Sequence, residues 1–63
     1  MNDEMLLPRK EVEKMTKLSR SEIYRRMAEA TFPRPLQIGP HSVAWRRSDV
    51  LRWIAALPER KPR

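Results

Sequence analysis

Four consecutive residues, Ser19-Arg20-Ser21-Glu22, fix where one helix of this chain must begin. A serine followed three positions later by glutamate makes a capping box: the hydroxyl accepts from the glutamate N–H, and the carboxylate accepts from the serine N–H. Downstream, Ile23, Met27 and Ala30 fall on one face of a 3.6-residue helix, and Ser21, Arg25, Ala28 and Glu29 on the opposite one. Tyr24 and Arg26 occupy the two shoulders. Phe32-Pro33-Arg34-Pro35 ends the helix, because a residue before proline is pushed out of the α region. The pattern predicts a helix over Ser19 to Ala30 with an apolar inner face and a polar, arginine-bearing outer face.

Short elements surround it. Pro8 suits a helix start, and Val12 and Met15 give the segment Arg9 to Met15 one apolar side, a helix of about two turns. Leu6-Leu7 is too short to type and reads either as a strand fragment or as a staple over that helix. Leu36-Gln37-Ile38 and Val43-Ala44-Trp45 alternate around Gly39-Pro40-His41-Ser42, which predicts a β-hairpin. Leu36, Ile38, Val43 and Trp45 are expected inward, and Gln37 and Ala44 outward. Ser48 is expected to cap a last helix, with Asp49 at its positive end. Val50, Trp53, Ile54 and Leu57 follow the i, i+3, i+4, i+7 template, and Pro58 stops the helix. Trp45 and Trp53 therefore belong to the core. The fold class is mainly α with a small β-hairpin.

Composition narrows the chemistry. With 63 residues the chain is one domain at most, near the lower limit for a core unaided by cross-links. Absence of cysteine excludes a disulfide scaffold, a Cys-ligated zinc site and an iron–sulfur cluster. A single histidine, His41, gives no basis for a metal site or a catalytic triad; neither enzyme nor cofactor is expected. The longest apolar run, Trp53 to Leu57, is far below the ~20 residues of a membrane span. No signal peptide is legible, and a soluble, cytoplasmic protein is expected.

The charge of +6 points to a polyanion. It is unevenly placed: residues 31–63 carry seven basic groups against two acidic ones, residues 1–30 seven against six. Ten of the fourteen cations are arginine, whose planar fork suits phosphates and guanine edges.

Two helices separated by Thr16-Lys17-Leu18 describe a helix-turn-helix, and the hairpin that follows describes a wing. In that arrangement the capped helix enters the major groove of double-stranded DNA. Its candidate contacts are Ser19, Arg20, Ser21, Tyr24, Arg25 and Arg26, with Arg25 the base-edge reader and Arg20 and Arg26 on phosphates. The wing offers Gln37, His41 and Ser42 near its tip, and Arg46 and Arg47 at its base as phosphate anchors. Residues 5–57 form this winged helix-turn-helix, and residues 58–63 a basic tail.

The order of "LSRSEIYR", "FPRPLQIG" and "VAWRRSDVLRWI" resembles the AlpA-type regulators. These are small prophage and mobile-element DNA-binding proteins of the excisionase-like, MerR-related winged group. Further matching residues are Leu6-Leu7, Lys10-Glu11-Val12 and Thr16, so the resemblance runs over residues 5–57. It implies a transcriptional regulator, commonly of integrase or excision genes, that binds and bends DNA without chemistry. One module this small covers only a few base pairs, so several copies or a dimer on DNA are expected, with integrase a further candidate partner.

The chain departs from the family at Lys17, where glycine is usual. If that residue takes positive φ, lysine costs about 1 kcal/mol relative to glycine. Gly39-Pro40 also stiffens the wing turn. Two other functions fit the same pattern. One is an excisionase, the same module laid along attachment-site DNA. The other is a protein-interaction module in which Val50, Trp53, Ile54 and Leu57 form a partner groove.

Overall fold

Both halves of the capping box are made in the computed structural model, which describes residues 5–62. Residues 1–4 and Arg63 of the basic tail lie outside the described residues. The Glu22 N–H donates to Ser19 Oγ at 3.2 Å and the Ser19 N–H donates to Glu22 Oε1 at 3.0 Å. The helix so started, α2, runs Arg20–Ala28. It is preceded by a strand β1, Leu6–Leu7, and a helix α1, Arg9–Thr16, and followed by strands β2, Leu36–Gly39, and β3, Ser42–Arg46. A last helix α3, Arg47–Ala55, closes the order. The result is a mainly α fold with a small sheet, arranged like a winged helix-turn-helix.

The turn between α1 and α2 is built on a left-handed residue. Lys17 has φ 64° and ψ 15°, and its N–H donates to the Glu13 carbonyl at 2.8 Å. Thr16 secures both sides: its hydroxyl donates to the Val12 carbonyl at 2.8 Å and accepts from the Leu18 N–H at 3.3 Å. The end of α2 uses the same device. Ala30 has φ 61°, its N–H donates to the Met27 carbonyl, and the Thr31 N–H donates to the Arg26 carbonyl at 2.8 Å. That pair of bonds is a Schellman closure with alanine where glycine is favoured. The helix therefore stops at Ala28, and Ala30, expected on its buried face, lies exposed beyond its end.

Leu6-Leu7 resolves as a strand. β3 is the central strand, with β1 and β2 antiparallel on either side; Leu7 faces Trp45 and Leu36 faces Ala44. The hairpin is tighter than the sequence pattern suggests, because both strands extend into the expected loop and leave only Pro40-His41 as the turn. A two-residue turn that follows strand twist needs positive φ, which proline cannot adopt. Neither turn residue has positive φ, and Ile38 bulges out of the pairing between Gln37 and Gly39.

The bulge overturns part of the expected alternation. Ile38 is 56% exposed and Val43 38% exposed, whereas Ala44 is buried. Ile38 is the extra residue with no partner on β3, and Val43 lies toward the wing tip, beyond the reach of the core. Ala44 sits on the central strand opposite the half-buried Leu36, where a small side chain is covered.

The start of α3 also differs. Arg46, not Ser48, is the N-cap residue, and Ser48 lies in the first turn. Pairing of Leu6 with Arg46 brings the Met5 carbonyl to the Arg47 N–H at 2.8 Å. Backbone just before β1 thus meets the first of the helix N–H groups that have no partner within the helix. Leu57, expected on the apolar stripe, lies past the helix end and is exposed.

Six elements and connections contribute one core residue apiece: Leu7, Val12, Ile23, Phe32, Trp45 and Val50. Met15, Leu18, Met27, Trp53 and Ile54 pack against them. Phe32 meets the edges of both indoles, 6.5 Å from Trp45 and 4.9 Å from Trp53 between ring centroids. No described helix is long and apolar enough to cross a membrane.

Candidate nucleic-acid interface

Ile23 and Met27 hold the inner side of α2 against the core, which turns Arg20, Ser21, Tyr24, Arg25, Ala28 and Glu29 outward. The polar face predicted for the helix is thus continuous and open. Its acidic residues are already engaged. Ser19, through its backbone N–H first and its hydroxyl second, lowers the pKa of Glu22 from its ordinary value, and Arg26 and Arg25 add to the effect. Glu29 lies 3.5 Å from the Arg25 guanidinium. An exposed i, i+4 pair of this kind contributes about 0.3–0.5 kcal/mol, so it holds Arg25 along the helix without committing it there.

Arg20 lies over the Tyr24 ring, its guanidinium carbon 5.7 Å from the centroid. This cation–π contact limits the wandering of a long side chain at the first turn of the helix. Backbone N–H groups at that same turn give the site a positive end independent of side chains. Arg26 stands apart. It is half-buried, and its Nε is shielded from solvent with no hydrogen-bond partner among the described residues. The structure separates Arg26 from the face shared by Arg20 and Arg25.

In the wing, Gln37 has an internal task. Its amide nitrogen donates to the Gly39 carbonyl at 3.1 Å and reaches the Pro40 carbonyl at 3.4 Å, bracing the turn. His41 is the exposed second residue of that turn, and Ser42 opens β3 beside it. Arg46 and Arg47 are exposed at the other end of β3, where the strand passes into α3. The tip and base of the wing are therefore separate polar positions.

A sixth arginine joins this surface, one to which the sequence pattern assigns no role. Arg34 is exposed on the connection from α2 to β2, and with Pro35 it lines a cleft whose other wall is Tyr24, Met27 and Ala28 of α2. Its only sequence signal is the arginine held between Pro33 and Pro35.

The protein-family model described as Prophage CP4-57 regulatory protein (AlpA) matches residues 5–58. The chain belongs to the AlpA family. The match takes in every described element, from β1 to the end of α3. No curated protein and no solved structure matches the chain. AlpA is a family of prophage regulatory proteins, and membership agrees with the resemblance carried by the capping-box, Phe-Pro-Arg-Pro and Trp-Arg-Arg segments. Within this AlpA-family chain, the left-handed φ at Lys17 shows that the turn keeps a glycine-type backbone although lysine occupies it.

Proposed function

We propose that this AlpA-family chain is a sequence-specific transcriptional regulator that binds double-stranded DNA. Its genes would be those of a prophage or integrative element, integrase and excision genes among them. The supporting observation is the open face of α2, where Arg20, Ser21, Tyr24 and Arg25 stand outward from a helix fixed at its start by the capping box. In this reading α2 lies in the major groove with Arg25 on a base edge. Ser19, Ser21 and Tyr24 line the groove, and Arg20 takes a phosphate. His41 and Ser42 of the wing tip meet the neighbouring backbone or minor groove, and Arg46 and Arg47 anchor phosphates at its base. Gln37 serves the wing chiefly by bracing the turn, and Arg26 contributes to the field of the helix. The outcome is binding and bending, with no chemical step.

One module of this size covers a few base pairs, so useful affinity requires several copies or a dimer on the DNA. Integrase is the protein partner that this reading admits, and the working place is the bacterial cytoplasm, on the nucleoid. The partner-groove alternative loses its support, because Val50, Trp53 and Ile54 are used in the core and only Leu57 stays open. Mapping bound DNA across the genome tests the assignment. Sites at promoters are expected; sites clustered only at an attachment site would make the chain an excisionase, and no enrichment would end the DNA-binding reading.

A further inference from the structure

The connection Thr31–Pro35 is held more firmly than a loop of its length requires. Phe32 is buried between the two indoles. The Trp53 Nε1–H donates to the Thr31 carbonyl and the Trp45 Nε1–H donates to the Pro33 carbonyl, each at 2.8 Å. Pro33 and Pro35 have fixed φ, and Pro35 confines Arg34 to extended backbone. Arg34 therefore projects from a backbone with few conformations left to lose. It makes no ion pair among the described residues, while Glu29, the carboxylate at the same end of α2, is engaged with Arg25. Between Arg34-Pro35 and the Tyr24–Ala28 wall lies an open cleft of about 400 Å³, walled mainly by apolar groups with the guanidinium on one side.

We propose that Arg34 is a DNA-backbone contact: it takes one phosphate of the strand that passes through this cleft beside α2. The inference rests on the reading of α2 as the groove-binding helix and adds a fixed charge at its C-terminal end, opposite Arg20 at the first turn. Two phosphate contacts at the two ends of one helix set its position along the groove, a task that a freely moving lysine on a flexible loop would do poorly.

Fluorescence titrations of the wild-type chain, Arg34→Ala and Arg34→Lys, run over a range of salt, test this. The probes are a duplex of mixed sequence and a duplex selected by the wild-type chain from a random pool. Arg34→Ala should weaken binding by the same factor on both duplexes. Its plot of log affinity against log salt should be shallower by about 0.9, the value of one phosphate contact. Arg34→Lys should restore the slope, and thermal melting of all three should coincide, since the side chain is exposed. A steep wild-type slope with an Arg34→Ala line lying on it would overturn the role of Arg34 and leave the DNA reading intact. Loss confined to one base pair of the selected duplex would also overturn it, by making Arg34 a base reader. A flat wild-type line would overturn both.

Discussion

The Trp53 indole donates its N–H to the Thr31 carbonyl at 2.8 Å, tying α3 to the connection that leaves the C-terminal end of α2. The bond joins residues 22 apart in sequence, and the Phe32 ring lies against the same indole. One side chain thus carries both a polar tie and part of the core.

These two roles separate by substitution. Trp53→Phe keeps most of the ring contact and leaves the Thr31 carbonyl to water, a cost of about 0.5–1.5 kcal/mol. Trp53→Ala removes the ring as well and should cost about 3–5 kcal/mol, as much as a core this small supplies. Circular dichroism melts should show a lowered midpoint for the first and no cooperative transition for the second. A Trp53→Ala chain that melts like the wild type would place the indole outside the core.

Lys17 and Ala30 are the two described non-glycine residues with positive φ, and each ends a helix. A side chain in the left-handed region costs about 1–2 kcal/mol, while glycine gives back part of that gain through a freer unfolded chain. Lys17→Gly and Ala30→Gly should therefore each stabilise the fold by up to about 1 kcal/mol, a rise in Tm of roughly 4–8 °C for a domain this size. The two share no hydrogen-bond partner, so the gains should add. A fall in Tm for Lys17→Gly would show that the lysine contributes more by its contacts than it loses by its backbone.

Legibility in the sequence followed the range of the interaction. The capping box depends on residues three apart, and both of its bonds form as the local pattern demands. The apolar spacing that assigned Val12, Ile23, Val50 and both tryptophans to the core is likewise local, and all five pack there. What failed in the hairpin needed the partner strand. Exposure of Ile38 follows from a bulge that arises only when β2 meets β3 across Pro40-His41, and burial of Ala44 follows from β3 becoming the central strand. Ser48 is not the cap residue because the helix begins earlier, at Arg47, whose N–H is met by the Met5 carbonyl, more than forty residues away in the chain. The place of Arg34 beside Tyr24 belongs to the same class, being set by tryptophan bonds to a segment the pattern marks only as a helix stop.

The capping box also makes stability depend on pH. Glu22 is held below its ordinary pKa chiefly by the Ser19 backbone N–H, so folding favours its charged form. A lowered folded-state pKa gives a contribution that is complete above the unfolded value and is lost as pH falls through the folded one. Denaturant midpoints should therefore drop on acidification below the ordinary carboxylate range. Glu22→Gln, which keeps an acceptor but cannot titrate, should flatten that part of the profile. Identical profiles for the two chains would assign the acid sensitivity to other carboxylates.

Arg25 and Glu29 form an exposed pair, and in the proposed DNA complex sequence reading turns on it. Arg25 must leave Glu29 to reach a base, and the small worth of such a pair makes the exchange favourable once a guanine edge offers two acceptors. Arg25→Ala should lose about 1–3 kcal/mol of discrimination at one base-pair position while retaining most of its affinity for unrelated DNA. Glu29→Gln should do the reverse: it frees the guanidinium, raises affinity for any duplex at low salt, and leaves the preferred base unchanged. Binding to a set of duplexes differing at single positions distinguishes these outcomes. A loss for Arg25→Ala that is uniform over the set would reassign Arg25 to a phosphate and leave base reading to Ser21 and Tyr24.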